Sequence, residues 1–282
     1  MKTPKRIEPL IQDGLVDEVV RPLMSGKEAA VFVVRSGAAL LCAKVYKDAE
    51  RRGFKQSVLY QEGRTTRNSR RARAMERGTR YGRQEQETAW QNAEVTALYR
   101  LAAAGVRVPQ PHVFADGVLL MELVADADGN PAPRLNDVAL SAEEARTHFA
   151  FLIRQIVLML CDGLVHGDLS EYNVLLGADG PVIIDLPQAV DAAVNNNARM
   201  MLERDVGNMA AYFGRFAPEL LATEYGKEMW ALYKSGDLKT DTALTGRFAQ
   251  SNKPADVRGV LREIEGARLE NEARLRFEAD RK

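Results

Sequence analysis

In LVHGDLSEYNVLL, residues 164–176, the polar side chains His166, Asp168, Ser170, Glu171, Tyr172 and Asn173 are held between two apolar ends. An aspartate and an asparagine five residues apart on a short loop suit a reaction in which a carboxylate accepts a proton while a carboxamide oxygen faces a cation. PVIIDLP, farther along, reads as a short strand ending in Asp185, a second hard oxygen donor of the kind magnesium takes. Upstream, LCAKVY places Lys44 on a β-rich run, where strand alternation fixes the direction of its ammonium, and Glu94 lies on the first long helical pattern, where it can pair with that lysine. Phosphoryl transfer from a nucleotide needs a cation on the phosphates, a basic side chain against the same charge and a carboxylate beside the attacking hydroxyl. None of the five residues is specific alone; their order along the chain is.

The simpler readings are structural. Asp168 and Asn173 taken alone can satisfy backbone donors in a polar turn. Lys44 can snorkel from its strand, although Ala43 and Val45 beside it favour an inward course. His166 is expected to pack behind the loop and orient it, and Asp205 to cap the start of a helix, with bracing of the catalytic loop as its second reading.

These residues need elements to position them. VFVVRSG and ALLCAKVYK read as a hairpin turning at Ser36-Gly37, preceded by a short lead-in over 7–21 that Pro22 closes. QETAWQNAEVTALYRLAAAGV, 86–106, spaces Trp90, Val95, Leu98 and Leu101 as a helix ending near Gly105. GVLLMELVAD supplies a buried strand, and Asp126, Asp128, Gly129, Asn130 and Pro131 after it mark the boundary between lobes. SAEEARTHFAFLIRQIVLMLC, 141–161, opens with a capping box from Ser141 to Glu144 and predicts a long buried helix. Pro218 opens a further helix, and a charged terminal helix is expected from about 254 onward.

A chain of 282 residues with 46% hydrophobic side chains can bury a sizeable core. The 39 basic and 39 acidic residues cancel, so any nucleic-acid argument must be local. One exists: from 51 to 83, eleven basic residues face only Glu62 and Glu76, a net +9, with Gly53, Gly63, Gly78 and Gly82 interspersed. This reads as a mobile basic loop: a solvated insertion, a contact for RNA phosphates, or, through Ser57, Thr65, Thr66, Ser69 and Thr79, an autophosphorylation target near the nucleotide. Cys42 and Cys161 sit in apolar surroundings far apart, as buried thiols do in a reducing compartment. The opening MKTPKRIEPL has no apolar signal core, and the run VLLMELVA at 118–125 is broken by Glu122 and too short to span a bilayer. A cytoplasmic location and no membrane partner are expected.

Taken together, SGKEAAVF at 25–32, AKVYK at 43–47, GVRVPQP at 105–111, HGDLSEYNVLL at 166–176, IDLPQAVD at 184–191 and LERDVGNM at 202–209 resemble the RIO-family atypical serine/threonine protein kinases of the RIO1-like branch, over roughly residues 22–215. The resemblance implies an α+β, two-lobed protein-kinase-like fold: a β-rich lobe with one long helix at 22–123, then a helical lobe at 124–253. It implies ATP with magnesium, or manganese, in the cleft between them. It makes Asp168 the catalytic carboxylate and Asn173 and Asp185 the metal ligands. Lys44, oriented by Glu94, would hold the phosphates. Ser25, Lys27, Glu28 and Val31 would cover the nucleotide, with Met121, Glu122 and Val124 at the adenine edge and Leu175 as its floor.

The motifs also depart from the commoner kinase pattern. Only Gly26 stands where a glycine-rich loop is usual, no arginine separates His166 from Asp168, and Asp185 is followed by Leu-Pro. Ala217-Pro218-Glu219 is read as a helix start, since the family lacks the usual activation and substrate-binding segment. The expected activity is transfer to serine or threonine hydroxyls, including the chain's own, with the protein substrate unspecified. Two rivals are a small-molecule phosphotransferase similar to aminoglycoside and choline kinases, which Ser170-Glu171-Tyr172 disfavours, and an ATPase-gated assembly factor contacting ribosomal RNA or ribosomal precursors through 51–83.

Overall fold

The alternation in AAVFVVRS and ALLCAKVY becomes two paired strands, and a computed structural model describing residues 3–26, 29–47 and 80–248 shows what each face buries. A short helix, α1 (Glu8–Gln12), precedes β1 (Glu18–Ser25), β2 (Ala29–Ser36) and β3 (Ala39–Tyr46). A long helix, α2 (Arg80–Ala103), is followed by β4 (Pro111–Ala115) and β5 (Val118–Glu122). The five strands form one antiparallel sheet in the order β1-β2-β3-β5-β4. Its β2–β3 register pairs Val31 with Lys44, and the next strand pairs Lys44 with Leu119.

Period-two alternation divides the sheet's side chains between two faces. Ala43, Val45, Val118 and Leu120 pack with Val34 against Ile7 and Leu10 of the N-terminal segment, both fully buried. On the opposite face Tyr46 and Leu119 join Val95, Leu98 and Leu101 of α2 in the main core. Lys44 is on this second face because it lies two residues from Tyr46. Each large aliphatic side chain so buried contributes about 1.5–3 kcal/mol.

The helical part comprises α3 (Ala142–Cys161), α4 (Ala198–Phe213) and α5 (Tyr225–Ser235), with β6 (Leu164–Val165), β7 (Val174–Gly177), β8 (Gly180–Ile183) and β9 (Val190–Asp191) between α3 and α4. The capping box is present: Ser141 and Glu144 satisfy each other's backbone amides at the start of α3. Phe149, Leu152, Ile156 and Leu160 of α3 pack against Met209 and Phe213 of α4 in the same core as Leu101. Pro218 opens a 3₁₀ turn, Pro218–Ala222. The fold is α+β with a sheet-bearing lobe and a helical lobe.

Three expectations change. Pro22 does not close the lead-in; it lies inside β1, at a register shift between Pro22 and Met24. β1 is an edge strand, where a missing amide costs no ladder bond. The long helix begins at Arg80 rather than 86 and ends at Ala103, so Arg80 and Arg83 are helical, not part of a loop. The strand β4 was not anticipated; Asp116-Gly117, with φ of 51° and 72°, turns it into β5 as a two-residue hairpin. The remainder of the basic segment and the helix expected from 254 lie outside the described residues. Among the described residues both cysteines are free thiols, and no helix is long and apolar enough to cross a membrane.

Candidate active site

Strand β3 delivers Lys44 to the inner face, and α2 brings Glu94, 4% exposed, against it. Lys44 Nζ donates to Glu94 Oε1 and, at 3.1 Å, to Asp185 Oδ1. Glu94's other oxygen accepts the Tyr46 hydroxyl at 2.8 Å. Burial works against the charge on Lys44, but Glu94 and Asp185 outweigh it and raise its pKa. Burial likewise opposes ionisation of Asp185, and Lys44 reverses the balance, leaving that carboxyl below its ordinary range. Three residues separated by 50 and 141 positions therefore form one charged cluster.

Asp185 itself has φ of +67°, in the left-handed region. For a residue with a Cβ this conformation costs of order 1 kcal/mol and persists where the surroundings impose it, commonly at functional sites. Ile184 beside it donates its amide to Asn173 O at 3.0 Å, one step past the β7–β8 pair Val174–Ile183. That link sets Asn173 next to Asp185. Asn173 Nδ2 donates to Asp168 O at 2.8 Å, which turns Oδ1 of the same carboxamide toward other partners.

The loop from 166 to 169 is held from behind. Asp205, 1% exposed, accepts the amides of Gly167 at 2.8 Å and Leu169 at 3.1 Å. Arg204 donates to Gly167 O, and Asn208 Nδ2 to Leu169 O at 2.9 Å. Gly167 adopts φ of 82°, open to glycine at no steric cost. His166 Nε2 donates to Ile184 O at 3.1 Å and Nδ1 accepts the Asp168 amide at 3.3 Å, so the imidazole ties the loop to the Asp185 strand. The expected orienting role of His166 agrees with this. Asp205 does not cap a helix: α4 starts at Ala198, and Asp205 projects from its middle to brace the loop. Asp168 accepts Gln188 Nε2 on Oδ2 at 3.1 Å. Burial raises its pKa, with His166 and Arg204 opposing.

A cavity of about 570 Å³ lies in front of this cluster, within the range of small-molecule sites. Of the predicted residues, Val31, Lys44, Glu94, Met121, Glu122, Val124, Leu175 and Asp185 line it. Ser25 is next to the lining residue Gly26, and Lys47 donates to both the Ser25 hydroxyl, at 3.0 Å, and Gly26 O. Lys27 and Glu28 lie outside the described residues. The Glu122 carboxylate is held by Arg107 through two hydrogen bonds of 2.8 and 2.6 Å and accepts the Gln110 amide. Its side chain thus fixes the strand end. Tyr46, Gln188, Arg107 and Arg134 were not anticipated; Tyr46 alone carried a signal, standing two residues from Lys44 on one strand.

The RIO domain family model matches residues 30–225. This chain belongs to the RIO family. It is 35% identical over 209 residues to the RIO-type serine/threonine-protein kinase Rio1 of Haloferax volcanii, covering 73% of this chain and 67% of that protein. It is 32% identical over 199 residues to the protein of the same name from Methanocaldococcus jannaschii, covering 70% and 63%. The serine/threonine-protein kinase rio1 of Schizosaccharomyces pombe is 30% identical over 213 residues, 73% of this chain but only 40% of that longer protein. The chain thus spans about two thirds of the archaeal relatives and well under half of the yeast one. The matched RIO domain contains Lys44, Glu94, Asp168, Asn173 and Asp185.

Proposed function

We infer that this chain is an ATP-dependent serine/threonine protein kinase of the RIO type, able to phosphorylate itself. The observation that supports it most is Lys44 joining Glu94 and Asp185 at the head of the cavity. Lys44 pairs with the nucleotide's phosphates, and Glu94 keeps its ammonium aimed there. Met121 and Val124 flank the adenine at the end of β5, with Leu175 beneath. The hydroxyl oxygen of serine or threonine bonds to the γ-phosphorus as the bridging bond to the β-phosphate breaks; Asp168 takes the hydroxyl proton and ADP leaves. Burial of Asp168 strengthens its affinity for that proton, while Gln188 on Oδ2 orients the carboxylate.

Asn173 Oδ1 and the Asp185 carboxylate are hard oxygen donors, a set that fits magnesium, with manganese an alternative. Among the described residues no group of three or more histidine, cysteine or acidic side chains is placed to hold a metal, and Asn173 and Asp185 are the two that would hold the cation here. When bound it would neutralise charge on the triphosphate.

Radiolabel transfer from ATP by the purified chain, with a generic basic protein, choline and amino sugars as acceptors, tests this reading. Transfer to protein serine or threonine is expected. Asp168→Ala should slow turnover by about 10²–10⁴-fold with nucleotide binding retained, and Asp185→Ala should abolish metal-dependent nucleotide binding. Transfer to small molecules alone, or unchanged turnover in either variant, would overturn it. Contact with ribosomal RNA or precursors through 51–83 is supported by the +9 charge alone. Salt-sensitive co-sedimentation with ribosomal subunits, lost on deleting that segment, is its test.

A further inference from the structure

Arg134 lines the same cavity and forms no ion pair within bonding distance among the described residues. The recorded partner of its guanidinium is a thioether, Met24 Sδ, 3.1 Å from Nη2. Sulfur is a weak acceptor and a guanidinium carries five donors, so most of its bonding capacity is uncommitted. The other charged side chains on the wall are engaged differently: Lys44 with Glu94 and Asp185, and Glu122 with Arg107. Asp137, also on the wall, accepts from Asn136 and forms no ion pair with Arg134 among the described residues.

The backbone that carries Arg134 is pinned. Arg134 bridges Leu175 on β7, and Pro133 O accepts the Leu176 amide at 2.9 Å. The side chain therefore rises from the cavity floor and crosses to β1, where Met24 immediately precedes Ser25 and Gly26 at the β1–β2 turn. A cation so placed faces the space between the turn above and Asp185 behind, where the anionic end of a nucleotide lies in the reading given above.

We propose that Arg134 is a nucleotide-binding residue that leaves the Met24 sulfur to bind the polyphosphate, adding a second cation to Lys44. The proposal rests on the nucleotide reading of the cavity. A planar guanidinium can take two phosphate oxygens at once, which an ammonium cannot.

Calorimetric binding of ADP and of adenosine to the full chain, with magnesium present, tests it in wild type, Arg134→Gln and Arg134→Lys. Arg134→Gln is expected to weaken ADP binding by about 10–100-fold, the usual range for losing a hydrogen bond between charged groups, with adenosine binding unchanged. Arg134→Lys should recover part of the loss. ADP binding at wild-type strength in Arg134→Gln, or equal weakening of ADP and adenosine, would overturn the assignment while leaving the cavity a nucleotide site. Failure of the wild type to bind either ligand would instead overturn the nucleotide reading, and the assignment with it.

Discussion

The Tyr46 hydroxyl and the Glu94 carboxylate are 2.8 Å apart, and the oxygen that Tyr46 does not touch is the one bonded to Lys44. Both oxygens of the buried carboxylate are therefore committed, and the lysine meets a partner that cannot rotate away. Burial and the charge of Glu94 raise the Tyr46 pKa, so its hydroxyl remains a donor across the working pH range. The same residue's carbonyl accepts Arg6 Nη1 at 2.8 Å, linking the pair to the N-terminal segment.

Tyr46→Phe keeps the ring, with its edge-on contact to Phe114, and removes only the hydroxyl. Steady-state kinetics should show KM for ATP raised by about 3–10-fold, which corresponds to about 0.7–1.4 kcal/mol, the net worth of a typical hydrogen bond, with a smaller change in kcat. Equal KM values in the two proteins would mean that Lys44 alone suffices to hold Glu94.

Asp205 makes stability depend on pH. Burial pushes its carboxyl up to about 6 from an ordinary 3.8. A raised carboxyl stabilises the fold fully below the unfolded value, and the contribution is lost as pH rises through the folded value, here about 3 kcal/mol in all. Asp205→Asn does not titrate. The stability of wild type relative to this variant should therefore fall between about pH 4 and about pH 7 in urea unfolding. A gap independent of pH would show that the carboxyl titrates normally.

Lys44, Asp168, Asn173 and Asp185 were legible because each lies on a short segment whose local pattern sets its geometry: an alternating strand, a polar loop after a buried helix, a strand end. The role of Asp205 as a brace for the loop stood only second to a helix cap, because the amides it accepts are 38 and 36 residues away and only tertiary packing brings them together. Arg134 meets Met24 across 110 residues for the same reason. The start of α2 was misplaced because a run of arginines and glycines resembles a loop in composition, although arginine is a good helix former and a single Gly82 costs a helix only about 1 kcal/mol.

The Arg107–Glu122 pair separates side chain from backbone at the edge of the cavity proposed to hold adenine. If the ligand is read there by main-chain atoms, Glu122→Gln should change ATP affinity less than about twofold while costing about 1 kcal/mol, the scale of a partly exposed ion pair. Fluorescent-nucleotide titration and urea unfolding of one variant give both numbers. A large loss of affinity with unchanged stability would assign the carboxylate to the ligand.

The helix α1 acts on the site from the far side of the sheet. Ile7 and Leu10 pack on Ala43 and Val45, the two residues flanking Lys44, so the position of the lysine strand depends on that apolar contact. Leu10 is 1% exposed, and Leu10→Ala should cost about 2–5 kcal/mol through lost burial and the cavity left behind. For a domain of this size that lowers the melting temperature by about 5–15 °C. Calorimetry measures the shift, and ATP should restore part of it by binding only the folded state. A melting temperature unchanged by Leu10→Ala would mean that the sheet holds Lys44 in place without α1.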